Sequence, residues 1–174
     1  MRVRRSAVKR CRAKSDDRAP TNVCSAILRD AFHAVGGFPE RVVLNEDMLL
    51  CAKLLRAGHR VAYQADARVR HSHDYTVAQQ FRRYFDIGVS IAQAGPLLDG
   101  ARPGGEGVRF TVAQLRYLAR ARAWEWIPRT VVETGAKYVG FHLGMRERAL
   151  PGGMKRRLSM HPFFWDRATG RVRE

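Results

Sequence analysis

The chain has 174 residues, 45% of them apolar, with a formal charge of +16 and a pI near 11.1. That length suits a single domain with its own core, and that apolar content excludes a chain that is disordered throughout. A uniformly basic face would point to nucleic acid, but residues 1–18 hold 8 Lys and Arg against 2 acids, residues 109–174 hold 14 against 5, and residues 19–108 between them hold 10 against 9.

Residues 1–20 have no hydrophobic period and read as a basic, disordered lead, or as sequence translated from a misplaced start. "TNVCSAIL" (21–28) suits a short buried strand, and "RDAFHAVGGF" a helix stopped by Gly36-Gly37. In "VLNEDMLLCAKLLRAGHRV", Asn45 is placed to cap a helix that has Glu46 and Asp47 in its first turn and Gly58 at its end. Met48, Cys51, Ala52 and Leu55 form its apolar stripe, with Lys53 and Arg56 facing water. "RVAYQ" and "ARVRH" read as strands, and a period of two puts Val69, His71 and His73 on one side.

From Thr76 the period turns helical, with Val77, Phe81, Tyr84, Phe85 and Val89 on one face. A Gly/Pro-rich loop occupies 96–109. Helices are expected around 110–123 and 128–143, split by Pro128. Cys11, Cys24 and Cys51 are odd in number and widely spaced, so they imply no disulfide framework and suit a reducing cytoplasm. No apolar run reaches the roughly 18 residues of a spanning helix. In the basic carboxy-terminal third, "WEWIPRTVVETGAKYVGFHLGM" (124–145) sets aromatic and aliphatic residues against Arg129 and Lys137, and Lys155, Arg156 and Arg157 precede Phe163, Phe164 and Trp165, as in segments that rest on anionic lipid.

Two features carry chemistry. Acids in a first helical turn are favoured by the helix dipole, by about 0.3–1 kcal/mol, so Glu46-Asp47 has an ordinary structural explanation. The same dipole favours the charged form of a carboxylate, which is the form that accepts a proton or holds a cation. His71 and His73 read as a strand end with one satisfied and one solvated ring, and H-x-H alone is only a weak metal signal.

Taken together, "VGGFPERVVLNEDMLLCAKLLRAGHRVAYQADARVRHSH" resembles the second half of a bacterial GT-A fold family 2 glycosyltransferase, and "HSHDYTVAQQFRRYFDIGVS" resembles its rhamnosyltransferase-like members. The resemblance covers about residues 21–165. It implies an α/β fold, in which a partial GT-A (nucleotide-diphospho-sugar transferase) lobe is followed by a helical carboxy-terminal extension. In that reading, 21–95 is the acceptor-side half of the catalytic domain and 110–174 is a basic helical extension.

By position, the resemblance makes Asp47 the general base for an acceptor hydroxyl, with Glu46 orienting the site, and His71 rather than His73 the carboxy-terminal metal ligand. It implies a nucleotide-sugar donor, a glycan or lipid-linked acceptor and a divalent cation (Mg2+ or Mn2+), the cation expected only with the family's first half. That half, with its D-x-D motif, has no counterpart in these residues, which marks the chain as a truncated product, a frameshift fragment or part of a split enzyme. Where the family often has a second acid two residues after the Asp, this chain has Leu49. The expected location is the cytoplasm, peripheral on the inner face of the cell membrane. The competing reading is a non-catalytic basic module that binds anionic lipid or nucleic acid; the near-neutral middle argues against nucleic acid.

Overall fold

The computed structural model describes residues 24–62, 69–98 and 106–168. Every regular element among them is helical: α1 (Arg29–Ala34), α2 (Glu46–Arg56), α3 (Val77–Ala94), α4 (Glu106–Arg120), α5 (Trp126–Met145), α6 (Gly152–Leu158) and α7 (Pro162–Ala168), with 3-10 turns at Gly95–Leu98 and Glu147–Ala149. The strands expected in "TNVCSAIL", "RVAYQ" and "ARVRH" fall partly outside the described residues, and the described parts, 24–28, 60–62 and 69–71, form no strand. A strand needs a neighbour to take its N–H and C=O groups. Among the described residues no helix is long and apolar enough to cross a membrane.

The helix stops follow local chemistry. Gly36 (φ 74°) ends α1, with Gly36 N–H donating to His33 O and Gly37 N–H to Phe32 O. Gly58 (φ 84°) ends α2 through the same paired geometry, with donors Gly58 and His59 and acceptors Leu55 and Leu54. At the start of α3, Thr76 and Gln79 form a reciprocal capping box. The break between α4 and α5 is not made by Pro128. Arg122 takes the left-handed conformation (φ 54°) and ends α4, while Pro128 lies in the first turn of α5, where a missing N–H removes no helical bond.

Two long helices make the centre. Gly88 on α3 meets Gly144 on α5, and Gly140 on α5 meets the Phe81–Phe85 backbone of α3, at a crossing with no room for a side chain. A Cβ at Gly144 would lie 2.9 Å from Val89 N and 3.0 Å from Gly88 Cα, and closer still to the Phe85 carbonyl oxygen. Below the crossing, Phe85 and Val89 are fully buried with Val43 and Trp165, and Leu44, Leu143, Leu150, Leu158 and Phe164 pack around them.

This core corrects two expectations. Trp165 does not face lipid, because α7 folds back and buries it. Lys155 bonds Glu147 and stands 5.2 Å from the centre of the Trp165 ring, and Arg156 pairs with Asp166 at 3.3 Å. On α2, the buried residues are Leu49, Leu50 and Cys51, while Leu55 is exposed. Lys53 is half-buried and donates to Gly37 O at 3.2 Å, because the Gly36-Gly37 turn packs back on the helix.

Candidate active site

Glu46 and Asp47 occupy the first turn of α2 and are both half-buried. Asn45 does not cap the helix with its side chain. It is in the left-handed conformation (φ 64°, ψ 30°), and its carbonyl accepts from Leu49 N–H. Asp47 takes over part of that work: its Oδ1 accepts the Met48 N–H at 2.7 Å, one of the amides a helix start leaves without an intrahelical partner.

The segment before the acids is tied down from α3. Leu44 N–H donates to the buried Ser90 hydroxyl at 3.2 Å, and Val43 and Leu44 belong to the Phe85–Trp165 core. The acid pair therefore sits at the end of a fixed strut rather than on a loose loop. One turn on, burial and then the Asp47 charge hold the Cys51 thiol above its ordinary range, so Cys51 is an inert core thiol rather than a nucleophile.

His71 and His73 come together in the exposed segment before α3, with ring centroids 4.3 Å apart, edge to face. His73 stacks on Tyr75 at 4.9 Å, and Arg83 lies over the Tyr75 ring at 5.6 Å. His73 is thus held by its neighbours, whereas His71 is the outer member of the stack. Two imidazoles supply part of a ligand set. Among the described residues no group of three or more His, Cys, Asp or Glu side chains is placed to complete it. A cation here would need donors beyond these residues, so no step of the chemistry is assigned to it. One hollow of the described surface, about 270 Å³, lies between α4 and α5 against Gln114, Trp126, Arg129 and Glu133, and none of the four predicted site residues lines it.

Sequence reading passed over Asp86. It sits beside Phe85 on α3, is fully buried, and its Oδ2 accepts the Met160 N–H at 2.9 Å, clamping the α6–α7 connection to α3. Its Oδ1 has no partner among the described residues. Burial raises its pKa above the usual carboxyl value, opposed in part by the nearby Ser159 hydroxyl, the Met160 and His161 amides and the His161 ring. No periodicity argument finds such a residue, because the polar position interrupts the apolar stripe.

The sign of its pH effect follows from linkage. The folded state holds a proton that the unfolded chain has already released, so this group's contribution falls as pH rises from the ordinary carboxyl range through the raised native value. Urea unfolding across acid pH should show wild type losing stability relative to Asp86→Asn as pH rises through that window. A difference independent of pH would mean that burial does not perturb Asp86.

The comparisons with known proteins point to glycosyltransferases. The chain is 42% identical over 148 residues to the O-antigen chain rhamnosyltransferase WbaN of Salmonella anatum, an overlap of 84% of this chain and 46% of that one. It is 41% identical over 148 residues to the O-antigen chain rhamnosyltransferase RfbN of Salmonella typhimurium, with the same shares of each chain. The chain is therefore related to glycosyltransferases, and it spans somewhat less than half the length of these curated relatives. No protein-family model and no solved structure matches it.

Proposed function

We propose that this chain is the acceptor-side part of an inverting glycosyltransferase of GT-A type, family 2, transferring a rhamnosyl group from a nucleotide sugar to a glycan or lipid-linked acceptor in cell-surface polysaccharide synthesis. The likeness to two rhamnosyltransferases over 84% of the chain carries the reading. The fixed, half-buried acid pair on α2 supports it from the geometry. In this reading the described helices are what surrounds an α/β sheet, much of which belongs to the other half.

The chemistry asked of these residues is limited. The acceptor hydroxyl oxygen attacks the anomeric carbon as the bond to the diphosphate breaks, the configuration inverts, and the Asp47 carboxylate takes the hydroxyl proton. Base assistance of this kind contributes about 10²–10⁴-fold. Glu46, next to it in the same turn, orients the acceptor. A divalent cation would offset the charge of the leaving diphosphate, with His71 the better-placed protein ligand because His73 is stacked on Tyr75. The enzyme works at the inner face of the cell membrane, where a lipid-linked acceptor presents its sugar.

The test is a chimera in which this chain replaces the matching part of the Salmonella anatum protein. Transfer of labelled rhamnose from its nucleotide diphosphate to a lipid-linked acceptor should be recovered. His71→Ala should raise the Mn2+ concentration needed for half-maximal transfer about tenfold, and His73→Ala should raise it less. A folded chimera without transfer overturns the reading. Equal and small effects at the two histidines would make them structural.

A further inference from the structure

The outward side of α5 carries no Lys, Arg, Asp or Glu. On the inward side Gly140 and Gly144 meet α3, Arg129 pairs with Glu133 at 2.8 Å, and Lys137 stands over the Tyr84 ring at 5.7 Å. Opposite them, Pro128, Val131, Val132, Tyr138, Val139 and Met145 are all exposed, Tyr138 to 66% and Val132 to 56%. His142 joins this side, its ring 4.3 Å from that of Tyr138. The result is an uncharged stripe along a 20-residue helix, about 30 Å at 1.5 Å per residue.

Both ends of the stripe are basic. Exposed Arg120 and Arg122 lead into it at the α4–α5 corner, beside exposed Trp124 and Trp126, and exposed Arg146 and Arg148 follow its last turn. Along the same stretch, Glu125 is exposed, Glu133 is paired with Arg129, and Glu147 is buried against Lys155.

We propose that this face of α5 lies flat on an anionic lipid surface, with its valines and Tyr138 at the acyl boundary, Trp124 at headgroup depth, and the four arginines on lipid phosphates. An exposed apolar stripe on a long helix, with cations at its ends and an indole beside it, is the layout of an interfacial helix. A second copy fits worse. Because both ends are positive, parallel and antiparallel pairing alike set arginine against arginine. The proposal deepens the membrane-surface part of the function above and narrows the lipid contact, expected over both 124–145 and the Lys155–Trp165 segment, to the outward face of α5, because Trp165 is buried.

Flotation of the 174-residue chain with vesicles of phosphatidylcholine, with and without phosphatidylglycerol, tests it. The chain should float with the anionic vesicles at low salt, release as salt rises and ignore the neutral ones. Val132→Glu/Val139→Glu should cut the floated fraction about tenfold with an unchanged circular-dichroism melt, since both positions are exposed. Arg120→Gln/Arg122→Gln should release at lower salt. Three outcomes each overturn the proposal: no flotation with anionic vesicles, a double glutamate variant that floats like wild type, or a dimer that the glutamates dissolve without any lipid binding. Flotation needs no donor and no turnover. A chain that floats while its chimera is inactive therefore removes the transferase reading alone.

Discussion

Asp47→Asn in the active chimera is expected to lower turnover by about a hundredfold or more, the lower part of the range for a positioned base, while leaving donor affinity almost unchanged. The substitution is close to isosteric. Its side-chain carbonyl can still accept the Met48 N–H that Asp47 Oδ1 accepts now, so the start of α2 should survive. What disappears is a group able to take the acceptor's proton. Because the lost interaction develops only as the hydroxyl attacks, kcat should fall while the acceptor KM moves little. Glu46→Gln should cost less, as it alters orientation and leaves the base in place. If Asp47→Asn loses less than tenfold, Asp47 serves the helix rather than the reaction, and another group is the base.

The largest expected effect on stability lies far from the acids. Gly144→Val should destabilise the chain by about 3 kcal/mol, at the upper end of overpacking costs, read as a lower urea midpoint. The added atoms would overlap the Phe85 carbonyl on α3, which is backbone and cannot swing aside. Relief requires α3 and α5 to separate, and that opens the Phe85–Val89–Trp165 core beneath them. Gly88→Val and Gly140→Val meet the same obstacle, at Phe141 O and Phe81 O. Gly135→Ala, on the outward side of the same helix with nothing within 4 Å of its Cβ, should instead stabilise by about 0.5–1 kcal/mol through helix propensity. Two glycines nine residues apart on one helix should thus respond with opposite sign. Equal responses would mean the crossing is looser than described.

The sites of substitution also show what sequence reading can reach. Gly36, Gly58 and the Thr76–Gln79 box act within a turn of their own position, so the ends of α1 and α2 and the start of α3 were legible. The Glu-Asp pair and H-x-H were legible as motifs. Their order along the chain pointed to a glycosyltransferase, and the likeness to two rhamnosyltransferases bears out that relation. Of the two segments expected to face lipid, the second was misplaced because "MKRRLSMHPFFW" looks the same whether its tryptophan lies on a membrane or in a core. Only the return of α7 against Phe85 and Val89 separates the two.

The sequence by itself determined the helix boundaries that glycine, capping residues and apolar period impose, and the identity of the residues able to do chemistry. These are short-range matters, decided by φ, ψ and hydrogen bonds within one turn. Tertiary structure alone decided that Gly88, Gly140 and Gly144 are one crossing, that Ser90 steadies the segment before the acids and that Asp86 is a buried clamp. It also left one face of α5 uncovered by any of the described residues. Each of these depends on residues roughly 45 to 75 positions apart, and their meeting is set by the packing of whole helices, which no local pattern encodes.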